Sequence, residues 1–151
     1  ENMAVSTTFQ TRLCNLVDES DYTRTELREL LKISSTSFTN ALIYGIIPTP
    51  KTLIKLADFF DVSLSYLLGK VDSDNFIKSN LNQNFCDRLT LLLDENGISR
   101  YKLAQDCLFD KSLISRWFAK GYLPSLDILE ILSNYFGVST DYLLGRSDFK
   151  N

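Results

Sequence analysis

Histidine is absent from the 151 residues, and tryptophan and methionine occur once each. Without an imidazole, neither a Ser/His/Asp nor a Cys/His catalytic arrangement can form, and every zinc site that needs histidine is excluded. No other pairing of nucleophile and base stands out, so the chain reads as a non-enzyme with no cofactor or metal. The three cysteines, Cys14, Cys86 and Cys107, are odd in number and lack CxxC spacing. That excludes a disulfide framework and a four-thiolate metal site, and points to a reducing, cytoplasmic compartment. The cysteines are expected to be small buried hydrophobes. No apolar run approaches the roughly 20 residues of a membrane span. No signal peptide is expected either, because Glu1-Asn2 precedes Met3, which reads as the natural start, and polar residues follow. Positive charge is also short: 16 Lys and Arg face 19 Asp and Glu, a net charge of -3. A nucleic-acid binder is expected to carry a basic patch, so the total alone argues against one.

What the chain does have is an internal repeat. Displaced by 76 positions and without a gap, Phe9, Arg12, Leu13, Leu16, Asp18 and Glu19 meet Phe85, Arg88, Leu89, Leu92, Asp94 and Glu95. Gly45 and Pro48 meet Gly121 and Pro124, and VSLSYLLG (62–69) meets VSTDYLLG (138–145). Two copies are too few to bury the faces of a solenoid, so tandem small domains are expected. We place them at 5–72 and 84–149, joined by a polar, asparagine-rich linker at 73–83, in which Phe76, Ile77 and Leu81 could dock as a short helix.

Each copy reads as five short helices. Phe9, Leu13, Leu16 and Val17, like Phe85, Leu89, Leu92 and Leu93, form the apolar stripe of an amphipathic first helix. Thr23 with Glu26, and Ser99, start the second helix. Ser34 and Asp110 cap the third, and Gly45 and Gly121 suit its end. Thr49-Pro50 opens the fourth, whose inner face is Leu53, Leu56 and Phe60, or Leu129, Leu132 and Phe136. Ser63 and Ser139 cap a last short helix. With no β-branched alternation, the chain is expected to be all-α.

The helix opening near Ser99, the turn around 108–110, the helix carrying Ile114 and Trp117, and the closing GVSTDYLLG resemble the phage-repressor (Xre/Cro) helix-turn-helix family. DVSLSYLLG repeats the closing segment in the first copy. The resemblance implies two tandem five-helix, lambda-repressor-like domains that bind double-stranded DNA, the second motif helix lying in the major groove. Carried onto the second copy, it makes Lys111, Ser112, Ser115 and Arg116 the reading residues, able to contact bases or phosphates, and assigns Arg100 and Lys120 to phosphates, with Lys102 a weaker phosphate candidate. Leu113, Ile114 and Trp117 are expected in the core. Arg12 and Arg88 are as well suited to pairing with nearby carboxylates as to touching DNA.

In the first copy the resemblance marks Arg24, Ser35, Thr36, Thr39 and Asn40, with Tyr44 beside them, but its third helix (35–44) has no charged residue to neutralise phosphates. Arg28 stands where the family prefers a small residue, as Ala104 does in the second copy; a guanidinium there must snorkel or spread the helices. Lys32 and Leu108 replace the usual turn glycine. Where many members pair an Arg with a Glu, this chain has Val17 with Leu42 and Leu93 with Phe118, as expected if packing replaced an ion pair.

Divided at the repeat, residues 1–75 carry seven cations and ten acids, and residues 76–151 carry nine of each. Asp106 and Asp110 are the acids nearest the second motif. The reading is a sequence-specific transcriptional regulator, a repressor in type, acting as a homodimer or a single-chain pseudo-dimer, with no membrane or small-molecule partner. The alternative is a protein-interaction adaptor, of anti-repressor or antitoxin kind, that has lost DNA binding in one or both copies.

Overall fold

A computed structural model describes residues 4–151, so Met3 lies outside the described residues. Local capping chemistry sets where its helices begin. The first five are α1 (Thr7–Glu19), α2 (Arg24–Leu31), α3 (Ser35–Tyr44), α4 (Pro50–Phe60) and α5 (Leu64–Leu67). The next five are α6 (Phe85–Asn96), α7 (Arg100–Cys107), α8 (Lys111–Lys120), α9 (Leu126–Phe136) and α10 (Thr140–Leu143). Side chains of Ser6, Thr23, Ser34 and Ser63 accept hydrogen bonds from the first turn of α1, α2, α3 and α5. Asn84, Ser99, Asp110, Ser125 and Ser139 do the same for α6 to α10. Thr49 is the exception: its side chain makes no capping bond, and α4 relies on Pro50, whose ring presets the helical φ. Each cap contributes about 1 kcal/mol, which matters in helices this short.

Contacts divide the chain into two compact units between Phe76 and Ile77. Among the described residues the regular elements are all helices, with one isolated β-bridge between Val5 and Ile46 in unit one. Residues 71–84 contain no helix, and Ile77 and Leu81 are exposed, so the expected docked helix does not form. Instead these residues belong to the units on either side. The backbone N–H of Ser63 donates to the Asp74 carboxylate at 3.1 Å, and that of Ser79 donates to the Arg146 carbonyl at 2.8 Å.

In unit one the core is Phe9, Leu13, Val17, Leu27, Phe38, Leu42, Leu53, Leu56, Leu64 and Leu67. Unit two buries Phe85, Leu89, Leu92, Leu93, Leu103, Ile114, Trp117, Leu129, Leu132 and Leu143. Leu113, Phe60 and Phe136, expected inside, are only half-buried. So are the cysteines, expected as buried hydrophobes; Cys14 and Cys86 turn their thiols to carbonyls of the third helix of their unit, Leu42 at 3.4 Å and Trp117 at 3.2 Å. Burial pushes the Cys86 and Cys107 thiols up, away from the thiolate form.

The largest polar group in the core is Arg88, 1% exposed. Its Nη1 donates to the carbonyls of Tyr142 (3.0 Å) and Ser147 (2.8 Å), its Nε to the Gln83 side chain (2.6 Å) and its Nη2 to Asp148 (2.8 Å). The guanidinium also lies 4.4 Å from the Tyr142 ring centroid. The first helix of unit two is thereby tied to the end of its last helix. Arg12 makes the equivalent bonds one repeat earlier, donating to the carbonyls of Tyr66 and Val71 and lying 4.2 Å from the Tyr66 ring. Beside the Arg88 bonds the chain leaves α10 through Gly145, at φ +76°, where any Cβ would overlap the Gln83 carbonyl.

Two predictions follow from this packing. Arg88→Ala should destabilise unit two by about 3 kcal/mol, and Arg88→Lys should restore little, because an ammonium cannot serve four acceptors in a fixed fork. Trp117, the sole tryptophan and 2% exposed, lets urea unfolding of unit two be followed by fluorescence; a lysine variant with wild-type midpoint would refute the clamp. Lys32 and Leu108 adopt the left-handed conformation at φ 55° and 59° despite their side chains. Leu108 is 92% exposed, so Leu108→Gly removes strain and loses no packing; we expect a gain of about 0.5–1 kcal/mol by the same fluorescence, and a lower midpoint would contradict it.

Candidate nucleic-acid interface

Helices α7 and α8 form the second and third helices of unit two, joined through Leu108 and Asp110. Asp110 accepts from the Ser112 backbone N–H at 2.9 Å and fixes the start of α8. Ile114 and Trp117 point into the core, which leaves Lys111, Ser112, Ser115, Arg116, Ala119 and Lys120 as the exposed arc of α8. Phe85 and Phe109 pack edge-on against the Trp117 ring at 5.5 and 6.0 Å and hold the buried side of the helix. An exposed arc with cations at both ends, on a short rigid helix, has the form required to enter a groove of a duplex.

The residues expected to contact DNA fall into two groups. Arg100 and Lys111, the first residues of α7 and α8, come together with Ser115 around a groove of about 190 Å³ whose remaining wall is Tyr101, Ala104 and Ile114. The Arg100 guanidinium lies 3.5 Å from the Phe118 ring centroid, and the Lys111 ammonium lies 4.5 Å from that of Tyr101. Arg116 stands on another side of α8, beside a groove of about 370 Å³ formed with Leu113, Trp117, Tyr122, Leu123 and Pro124. Its Nε donates to the Ser112 carbonyl at 3.4 Å. The Ser112 hydroxyl donates to Asp110 at 2.9 Å, and the Ser115 hydroxyl donates to the Lys111 carbonyl at 3.3 Å. Lys120 ends α8, exposed.

The acids near the motif are engaged. Lys102 pairs with Asp106 at 3.0 Å, and the Tyr135 hydroxyl of α9 donates to the same carboxylate at 2.6 Å. The weaker phosphate candidate, Lys102, is therefore already matched to an acid. The Tyr135 hydrogen bond, then that of Lys102, holds the Asp106 carboxyl below its usual range. Asp110 is lowered in the same direction, chiefly by the Ser112 backbone N–H.

Unit one has a corresponding groove with its cations placed differently, Arg28 standing where unit two has Ala104 and Ser35 where it has Lys111. A groove of about 260 Å³ lies between α2 and α3, lined by Arg24, Thr25, Arg28, Ser35, Phe38 and Thr39, with Leu42 and Ile43 at its end. Arg24 is exposed and 4.0 Å from Asp18. Ser35, Thr36 and Thr39 are exposed, whereas Asn40 is half-buried and its carbonyl takes the N–H groups that close α3. Arg28 is half-buried, reaching to 4.0 Å from Glu29.

Of the two roles open to Arg12 and Arg88, Arg88 takes the carboxylate pairing, with Asp148 at 2.8 Å, and adds bonds to backbone carbonyls that were not expected; Arg12 is half-buried and bonds to the corresponding carbonyls. Tyr101 is 57% exposed and lines the groove beside Lys111, although nothing in its local pattern marks it. Phe118, paired by register with Leu93, is half-buried and carries Arg100 on its ring, while Leu93, Val17 and Leu42 are buried.

Residues 89–143, from within α6 to the end of α10, match the model of a family described as helix-turn-helix. The match lies wholly within unit two and supports a DNA-binding helix-turn-helix regulator of Xre-like type. No curated protein and no solved structure matches the chain. Among the described residues no helix is long and apolar enough to cross a membrane, and no group of three or more His, Cys, Asp or Glu could hold a metal ion.

The Asp106 contact generates a pH prediction. Its hydrogen bond pushes Tyr135 up from about 10 to about 12. The tie between α7 and α9 thus contributes stability that is complete below the unfolded value near pH 10 and is lost as pH rises through about 12. At the other end the lowered Asp106 contributes stability that disappears as pH falls below the ordinary carboxylate range. Tyr135→Phe should flatten the alkaline limb of unit-two stability, followed by Trp117 fluorescence. A variant with an unchanged profile from pH 9 to about 12 would contradict the assignment.

Proposed function

We propose that the chain is a sequence-specific, double-stranded DNA-binding transcriptional regulator that represses by occupying its operator, with unit two as the principal reader and α8 in the major groove. The exposed arc of α8, bounded by Lys111, Arg116 and Lys120 within the segment that matches the helix-turn-helix family, carries this reading. Arg116, exposed at mid-helix, is the residue assigned a bidentate contact to guanine, worth about 1–3 kcal/mol of discrimination. Lys111, Lys120 and Arg100 serve phosphates. Ser112 and Ser115 keep acceptor lone pairs for base edges even while their hydroxyls donate inward. The chain works in the cytoplasm without cofactor, metal or catalytic step. Two operator half-sites about 34 Å apart are occupied either by two chains or by both units of one, and the stoichiometry of the bound complex separates these.

A second reading is supported by one specific observation. The third helix of unit one has no charged residue, exposes Ile43 (50%) and Tyr44 (62%), and belongs to the half of the chain that holds the whole negative excess. On this reading unit one contacts protein, and the chain as a whole is an adaptor.

Electrophoretic shift of genomic fragments at 50 mM and 200 mM salt distinguishes the two. Phosphate-driven binding should weaken about tenfold or more over that range. Arg116→Ala should cost a further tenfold or more and relax sequence preference, while Asn40→Ala leaves binding unchanged. No shift at 50 mM salt with any fragment would sink the DNA reading in favour of the adaptor.

A further inference from the structure

Rotamer freedom is what an exposed cation loses when it grips a phosphate, and a long side chain already held in place loses less of it. In unit two both cations at the helix starts are held, and the holding is reciprocal. Arg100 of α7 lies over Phe118 of α8 at 3.5 Å, and Lys111 of α8 lies over Tyr101 of α7 at 4.5 Å. The two contacts cross between the helices and flank one groove, with Ser115 on its wall and Ala104 small enough to let the helices approach. Both cationic residues remain exposed, so the rings support them without enclosing them.

We infer that Tyr101 and Phe118 are positioning residues that hold Lys111 and Arg100 aimed at the DNA backbone, and that this crossed pair is why unit two rather than unit one is the reader. The inference rests on the DNA-binding reading above. Unit one supplies the internal comparison. At the matching positions it has Thr25 for Tyr101, Leu42 for Phe118 and Ser35 for Lys111, and the two cations of its groove, Arg24 and Arg28, lie near Asp18 and Glu29 instead of over a ring. The neutral explanation, that the rings only fill space between α7 and α8, does not account for Tyr101: with 57% of its surface open, it fills little.

Tyr101→Leu is the cleaner variant, since an exposed ring can be lost without opening the core. The probe is a duplex selected by the wild-type chain from random sequence, with affinity followed by fluorescence anisotropy. A cation–π contact at an exposed site corresponds to about two- to fivefold in affinity. Tyr101→Leu should weaken binding by that factor, Tyr101→Phe should restore it, and Tyr101→Leu should add nothing once Lys111→Ala is present. Phe118→Leu should couple to Arg100→Ala in the same way, with Trp117 fluorescence confirming that the variants remain folded. A ring-current shift of the Lys111 side-chain protons in the free chain, lost in Tyr101→Leu, reads the clamp without DNA. A shift that is present while no duplex is selected would overturn the DNA reading and the role in binding together, leaving a purely structural contact. Wild-type binding with no shift, or with effects of Tyr101→Leu and Lys111→Ala that simply add, would overturn the inference alone.

Discussion

A guanidinium that is almost wholly buried must find acceptors for five N–H groups or leave a charge stranded in apolar surroundings. Arg88 meets that demand where the first helix of unit two passes the end of its last. Two backbone carbonyls, a carboxamide, a carboxylate and the face of Tyr142 surround it. Because the two carbonyls and the carboxylate belong to residues 54 to 60 positions away, the arginine closes the unit on itself. The motif helices α7 and α8 lie in the stretch of chain that this closure brackets. Arg12 does the same for unit one with fewer partners, and it is half-buried.

On that shared frame the two units differ chiefly in what they present at one groove. The same positions line it in both, and the same helices bound it. Unit two places two cations there and supports each on an aromatic ring. Unit one has an arginine in the place of Ala104 and a serine in the place of Lys111. The net charge of -3 therefore says little about the surface that matters. Asp106 is taken up by Lys102 and Tyr135, and Asp110 caps α8, so both acids near that helix already have partners.

Much of the helical plan was legible because capping is a three-residue affair. Thr23 with Glu26, Ser34, Ser63, Ser99, Asp110 and Ser139 each bond where their spacing implies. Thr49 fails to bond because its place at a helix start is defined by Pro50 rather than by its own hydroxyl. The turn residues Lys32 and Leu108 show the limit of composition: the backbone goes left-handed there without glycine, where each caps the preceding helix and returns its N–H to the Arg28 or Ala104 carbonyl. The docked linker helix expected from Phe76, Ile77 and Leu81 does not form, because those residues are drawn into separate units that end and begin among them. Of the candidate site, the exposure of Lys111, Ser112, Ser115 and Arg116 follows from period alone, once Ile114 and Trp117 are assigned inward.

The amino-acid sequence by itself determined the repeat, the helix starts, the apolar stripes and the absence of imidazole chemistry, because each depends on residue type or on neighbours within a few positions. Only the tertiary structure decided that the arginines of the first helices clamp the ends of their units, and that Tyr101 and Phe118 carry cations. Those are relations between residues 10 to 60 positions apart, and whether a side chain meets a carbonyl, a ring or solvent depends on how whole helices pack, which no local pattern encodes.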